Sequence, residues 1–135
     1  MKAKSIKGKS TEEIRSGLQQ SMTDGYSPTL AIAFVSIKLD RTAIRQIFSD
    51  MGIALFGATT NGEFIDEVTE TGSAAILLLD MKKDHFKIFL EEFQTNNYRE
   101  TGRRIAHLAK EKFSEVGFLL SISNGSTDEN FSFAR

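Results

Sequence analysis

The chain has 135 residues, the length of about one domain, with 40% hydrophobic residues and a formal net charge of −1. This is globular composition, and it has no basic excess that would indicate nucleic acid or an anionic membrane as a partner. The absence of cysteine excludes disulfides and thiolate catalysis, and the absence of both a signal-peptide pattern and a long apolar run leads us to expect a cytoplasmic protein.

The N-terminal region predicts a flexible leader followed by a helix. Residues 1–9 hold four lysines, which is typical of a solvated, partly disordered segment. Ser10 and Glu13 then form a capping-box pattern, in which each residue satisfies a backbone N–H group at the start of a helix. The apolar stripe of this first helix, which ends at Asp24-Gly25, consists of Ile14, Leu18 and Met22.

The next segment predicts a strand, a helix and a parallel strand. Leu30–Ile37 and Ile53–Ala58 are short apolar runs, as expected for strands that are covered on both faces. Between them Asp40 is a predicted helix cap and Gly52 a predicted helix stop. The apolar face of this second helix comprises Ala43, Ile44, Ile47, Phe48 and Met51.

The middle of the chain predicts strands that follow one another closely. Gly62–Val68 is a candidate short strand, Thr69–Gly72 a turn and Ser73–Met81 a third buried strand. Asp84–Phe93 alternates apolar and polar residues, which indicates another strand. Because these strands are joined by short connections, we expect them to be antiparallel.

The C-terminal part predicts a helix, a buried strand and the start of another helix. Asn97–Glu100 is a second capping-box pattern, and Val116–Ile122 is the last apolar run. Residues 126–135 begin like a helix that is cut short, so we expect a piece of a longer protein or a tail that exchanges onto a neighbour. The fold class is therefore predicted as α/β, a single domain over residues 10–125 with helices on the faces of a mixed sheet.

Two loops are candidates for a binding site at the carboxyl ends of strands. Gly57–Glu63 and Ser123–Asp128 both combine glycines, hydroxyls, an amide and a carboxylate. Glycines let a ligand approach the backbone, while hydroxyl and N–H groups bind carboxylate or phosphate oxygens. Both loops are equally compatible with ordinary turns. Neither a P-loop nor a dinucleotide-binding glycine pattern occurs.

The first loop carries a family resemblance. Gly57 to Phe64 (GATTNGEF), between two apolar strands, resembles the motif of the N-terminal FIST domain. That resemblance covers about residues 28–125 and implies an intracellular sensory domain of a signal-transduction protein, which binds a small ligand such as an amino acid. Gly57, Thr59, Thr60, Gly62 and Glu63 match the motif, whereas Ala58 stands where many members have cysteine.

The resemblance and the two loops together give a predicted ligand site. We expect backbone N–H groups and threonine hydroxyls to hold a ligand carboxylate, with Glu63 or Asp128 facing its ammonium group. No cofactor and no metal are expected. The candidate ligand-binding residues are Gly57, Thr59, Thr60, Asn61, Gly62, Glu63, Ser123, Asn124, Gly125 and Asp128.

Two other functions remain open from the sequence. Long apolar strands favour a structural or assembly module that dimerises, and we expect a homo-oligomer besides a downstream signalling domain or protein as partner. A hydrolase that uses Thr59 or Thr60 is the weaker alternative, because it requires His85 or His107 as a nearby base. The chain is accordingly predicted not to be an enzyme.

Overall fold

The structure is a computed structural model that describes residues 1–60, 63–65, 68–92, 97–115 and 117–122. It divides into two compact parts, Met1–Ile88 and Phe89–Arg135. The first part contains β1 (Lys2–Gly8), α1 (Thr11–Ser21), β2 (Leu30–Ser36), α2 (Arg41–Asp50), β3 (Ala54–Thr60), β4 (Glu63–Ile65), β5 (Val68–Glu70), β6 (Ala74–Asp80) and a 3-10 turn (Lys83–His85). The second contains α3 (Tyr98–Lys112). None of the helices in the described ranges is long and apolar enough to cross a membrane.

The main sheet is mixed, which confirms the predicted α/β fold. Its four strands lie in the order β1-β6-β2-β3. β2 and β3 are parallel and joined through α2, as the sequence predicts, while β6 is antiparallel to both β1 and β2. β4 and β5 form a separate antiparallel pair.

One face of this sheet is covered by α1 and α2. The inward side chains alternate along each strand, such as Ala31, Ala33 and Val35 in β2, because strand side chains point to opposite faces in turn. From the helices the core receives Ile14, Leu18, Ile44, Ile47 and Phe48, each at most 1% exposed. These are residues of the two apolar stripes that the sequence predicts.

Both predicted caps of the first two helices are present. The Ser10 hydroxyl accepts a hydrogen bond from the Glu13 N–H (3.2 Å), and Asp40 accepts one from the Ala43 N–H (3.0 Å). The Glu13 carboxylate reaches one residue further back than predicted and accepts from the Lys9 N–H (2.8 Å). Each bond satisfies a donor that the helix itself leaves unpaired.

The prediction of a flexible leader over residues 1–9 is wrong, because Lys2–Gly8 form β1. The strand pairs with β6 over its whole length, from Lys2 opposite Asp80 to Gly8 opposite Ala74. Ile6 lies in the core, whereas Lys2 and Lys7 are exposed and Lys4 is half-buried beside α1. Pairing with a long apolar strand therefore stabilises a segment whose own composition favours solvent.

The middle strands also differ from the prediction. Thr69 and Glu70, expected in a turn, lie in β5 and pair with β4. The strand predicted over Asp84–Phe93 is absent from the described residues 84–92, which begin with the end of the 3-10 turn. β6 cannot accept this segment as a hairpin partner, because β1 and β2 already occupy both of its edges.

The C-terminal predictions are confirmed for the helix and wrong for the strand. α3 begins after Asn97 as expected, but the Asn97 side chain makes no capping bond and its carbonyl accepts from the Thr101 N–H instead (3.2 Å). Residues 117–122 form no strand, and Phe118 is 82% exposed. An apolar run becomes a buried strand only where a sheet edge receives it, and none of the described strands pairs with this one. The expected helix start at 126–135 lies outside the described residues.

An ion pair fastens β1 to the end of α1. The Lys4 ammonium donates to the Asp24 carboxylate (2.8 Å) and to the Ser21 carbonyl (2.7 Å), and it lies 4.9 Å from the centre of the Tyr26 ring. This hydrogen bond from Lys4, together with one from the Tyr26 N–H, lowers the pKa of Asp24. Burial raises the pKa of Tyr26, whose hydroxyl donates to the Leu78 carbonyl (2.7 Å).

We predict that Asp24→Asn removes part of the acid dependence of stability. A lowered pKa means that folding favours the ionised carboxylate, so this stabilisation is complete above the ordinary aspartate pKa of about 3.9 and is lost as the pH falls through the lowered value. The melting temperature of the variant should lie below that of the wild type at neutral pH, and the difference should shrink in acid. Thermal unfolding monitored by circular dichroism at several pH values measures it. A difference that is constant with pH would contradict the role of the charge.

Candidate functional site

The candidate site lies where α2 crosses the parallel strands β2 and β3. Only residues 37–40 lie between the last residue of β2, Ser36, and the first of α2, Arg41, so the helix begins close to the carboxyl end of β2. On the helix-covered face, Ala33 and Val35 of β2 lie in register with Gly57 and Thr59 of β3. Open α/β sheets commonly bind ligands beyond the carboxyl ends of parallel strands, which is the place that these residues mark.

A groove of about 310 Å³ lies between α2 and this part of the sheet. Its base is apolar and its helical wall is basic, since α2 contributes two arginines. The residues that line it are Ala33, Val35, Arg41, Ile44, Arg45, Leu55, Gly57, Ala58 and Thr59. The lining is therefore mostly apolar, with two arginines and one threonine as its polar residues.

Gly57 is a glycine because β3 passes very close to β2 at this point. A Cβ atom built on Gly57 would lie 1.8 Å from the carbonyl oxygen of Ala33, far inside van der Waals contact. No other residue fits without moving one of the two strands. The close packing of β2 and β3 therefore requires the glycine of the motif, independently of any role in ligand binding.

The charge of the groove comes from Arg41 and Arg45. Residues four apart on a helix are neighbours, so their guanidinium groups lie on one face and repel each other, at a cost of about 0.2–0.5 kcal/mol in an isolated helix. Asp40, the nearest acid in sequence, is engaged as the cap of α2. Among the described residues that line the groove there is no Asp, Glu or His. The arrangement favours an anion.

The structure brings two of the predicted ligand residues into this groove. Gly57 and Thr59 line it, whereas Thr60, the next residue, belongs to the opposite face of the sheet and lies in register with Ser36. Glu63 begins β4 opposite Glu70. The remaining predicted residues lie outside the described ranges: Asn61, Gly62, Ser123, Asn124, Gly125 and Asp128.

The sequence prediction missed Arg41 and Arg45. The motif drew attention to Gly57–Glu63, which was predicted as a loop, although Gly57 to Thr60 belong to β3, because β2 pairs with this stretch as well. The two arginines belong instead to the crossover helix α2 that precedes β3. Their signal was present in the sequence: two like charges at a spacing of four, in the first turns of a helix that follows a strand of a βαβ unit. That pattern is unfavourable for the helix alone.

Both histidines lie beside an acidic side chain at the surface. His85 is exposed in the 3-10 turn, 3.8 Å from Asp84, and His107 is exposed on α3, 3.3 Å from Glu111, as its predicted surface position implies. Within the described residues no three His, Asp or Glu side chains are grouped so that they would hold a metal ion. The hydrolase alternative that uses Thr59 or Thr60 stays a prediction.

Comparisons with protein-family models, curated proteins and solved structures find no match for this chain. The resemblance to the FIST domain therefore depends on the motif from Gly57 to Phe64, and it stays a prediction.

We predict that Gly57→Ala destabilises the fold by at least about 2 kcal/mol, because the methyl group must displace the backbone of β2 or β3. Urea unfolding followed by circular dichroism measures the change in the free energy of unfolding.

Gly17→Ala is the matched control. A Cβ at Gly17 in α1 meets only the Ile6 side chain, at 3.6 Å, an ordinary contact. Because glycine is a poor helix former, this change should leave stability unchanged or raise it by up to about 1 kcal/mol. Equal effects of the two substitutions would show that the close approach at Gly57 is not a constraint on the fold.

Proposed function

We propose that this protein is a small-ligand-binding domain whose ligand carries a carboxylate or a similar small anion, and that it performs no catalysis. The observation that carries the proposal is the groove in which Arg41 and Arg45 face the Gly57–Thr59 stretch of the motif. Amino acids and related metabolites have the required group. The groove volume lies at the small end of the range of about 300–1,000 Å³ for ligand pockets.

The chemistry of the groove accounts for such a ligand. A planar guanidinium group donates two parallel hydrogen bonds to a carboxylate, and the Thr59 hydroxyl supplies a further donor. The apolar base, formed by Val35, Ile44 and Leu55, suits the hydrocarbon part of a small metabolite. An anion between Arg41 and Arg45 would also relieve the repulsion between the two guanidinium groups.

The relief of the repulsion between Arg41 and Arg45 would link ligand binding to signalling. Ligand binding stabilises the arrangement in which α2 is packed on the sheet, since only the folded chain brings both arginines to Gly57–Thr59. In the sensory role that the FIST resemblance implies, a downstream signalling domain or protein in the cytoplasm would read that shift in population. Glu63 and Asp128 stay candidates for the ammonium group of an amino acid.

We predict that a thermal-shift screen with millimolar amino acids and dicarboxylates finds a ligand that raises the melting temperature. Binding to the folded state alone adds about 2.7 kcal/mol of stability at a ligand concentration one hundred times the dissociation constant. Arg45→Ala should abolish the shift, because it removes one of the two charged contacts while it leaves the buried face of α2 intact.

Arg15→Ala on the exposed side of α1 is the control for the loss of one positive charge. Thr59→Val should weaken binding, whereas Thr60→Val on the opposite face should not. A shift that survives Arg45→Ala, or that is lost equally in Arg15→Ala, would contradict binding in this groove. If no compound in the screen raises the melting temperature, the result contradicts the sensory function.

A second candidate function is assembly, and the face of the sheet opposite α1 and α2 favours it. Ile32 lies in register with Leu77 on one side and Phe56 on the other, so apolar side chains form a row across three strands. Phe34 and Leu77 are 39% and 37% exposed on this face. An exposed apolar sheet face is covered when two copies associate symmetrically.

If assembly is the function, light scattering should show a dimer at micromolar concentration, and Phe34→Glu should convert it to a monomer. Ile37→Glu is the matched control, since Ile37 is 62% exposed but follows the end of β2. If the wild type is a monomer, or if the Phe34→Glu variant is still a dimer, the result contradicts the assembly function.

A further inference from the structure

A second groove lies along the edge of the main sheet that is farthest from β3. β1 is an edge strand, because only β6 pairs with it among the described strands. Between β1 and α1 is a groove of about 470 Å³. It is lined by four consecutive strand residues, Lys4 to Lys7, and on the helix by Gly17, Gln20 and Ser21.

The backbone of β1 makes this groove suitable for another strand. In a strand, successive residues direct their N–H and C=O groups to alternate sides, and β6 receives those on one side along all of Lys2–Gly8. Every second residue of Lys4–Lys7 therefore presents both groups away from β6. An extended peptide that lies between an edge strand and a helix pairs with such groups, a recurring mode of peptide recognition.

The helical wall of the groove carries no side chain at Gly17. A Cβ placed there would lie in van der Waals contact with the Ile6 Cβ, at 3.6 Å, so α1 packs directly on β1 at this point. Lys4 is held along the wall by its bonds to Ser21 and Asp24, so it does not need to be ordered when a ligand arrives. The side of the groove that Lys4 forms is thus preorganised, which lowers the entropic cost of binding.

The charge of the β1 edge determines which kind of peptide strand can pair with it. The first nine residues contain Lys2, Lys4, Lys7 and Lys9 and no acidic residue. Lys4 is neutralised by Asp24, and Lys2 lies opposite Asp80, but Lys7 is exposed and its neighbour in β6 is Ala75. Lysines on an edge strand oppose pairing with a second copy of the same edge, since like charges would meet. The same lysines attract a strand that carries carboxylates.

We propose that the β1 edge is a docking site for an extended acidic peptide segment of a partner protein, which adds to the sheet as a fifth strand in the groove beside α1. Backbone hydrogen bonds to Lys4–Lys7 supply affinity, and Lys7 selects acidic side chains. This site is separate from the groove that contains Arg41 and Arg45, and it does not depend on the ligand proposed there.

The test uses the full chain and a fluorescein-labelled peptide of alternating glutamate and valine, roughly as long as β1. Fluorescence polarisation should show saturable binding that weakens as salt is added, because the attraction is partly electrostatic. The same peptide with lysine in place of glutamate should bind at least tenfold more weakly. A glutamate–valine peptide with N-methylated central residues keeps its charge but loses backbone donors, and it should also bind at least tenfold more weakly.

Lys7→Glu is the variant of the protein that reports on the site, and Lys38→Glu, on the exposed loop after β2, is its matched control. Lys7→Glu should weaken binding of the acidic peptide at least tenfold and improve binding of the lysine peptide, whereas Lys38→Glu should change neither. Unchanged melting temperatures establish that both variants are folded.

Amide hydrogen exchange locates the bound peptide independently. With the acidic peptide, protection should increase at alternate amides of residues 4–7, which face outward. Three results would overturn the proposal: no binding of the acidic peptide at millimolar concentration, equal binding of its N-methylated form, or equal effects of Lys7→Glu and Lys38→Glu.

Discussion

The close approach of β2 and β3 at Ala33 and Gly57 is the constraint on which the site depends. Parallel strands need a crossover, and here α2 supplies it, so the helix is fixed above the strands that it joins. Because Gly57 has no side chain, β3 can approach β2 closely at Ala33, and both residues line the groove beneath α2. Arg41 and Arg45 line the helical wall of the same groove. The same glycine therefore belongs both to the tight pairing of the strands and to the lining of the groove.

β6 determines how the rest of the main sheet is arranged. Its residues Ala74, Ile76 and Leu78 are at most 1% exposed, and both of its edges are paired. Burial of this kind stabilises partners that have little apolar surface of their own, which is why the lysine-rich Lys2–Gly8 segment is a strand. It also explains why residues after β6 leave the sheet, since a hairpin back onto β6 has no free edge to join.

The elements that could be predicted from sequence are those whose signals are local. Caps such as Ser10 and Asp40, the helix stripes and the apolar strands of the βαβ unit depend on neighbours within a few residues, and the structure has them all. β1 could not be predicted, because its stability comes from a strand more than sixty residues away in sequence. The strand predicted at Val116–Ile122 failed for the converse reason: an apolar run becomes a strand only if a sheet edge pairs with it, which composition does not reveal, and residues 117–122 pair with none of the described strands. At the site, the motif located Gly57 and Thr59. Arg41 and Arg45 become neighbours of these β3 residues only because the crossover helix α2 packs on the sheet.

The two grooves lie near opposite edges of one sheet, on the face that α1 and α2 cover, and their separation constrains any communication between them. Three strand spacings lie between β1 and β3, about 14 Å at the usual spacing. Beneath them, Leu18, Ile44 and Phe48 belong to one packed core of α1, α2 and the strands. A close-packed core does not deform gradually, so coupling through it requires two discrete packings of these side chains. Thermodynamic linkage gives the criterion: if an anion at Arg41 and Arg45 strengthens binding at the β1 edge, occupation of that edge strengthens anion binding by the same factor. If neither ligand changes the affinity for the other, the two grooves act as independent sites on a shared scaffold.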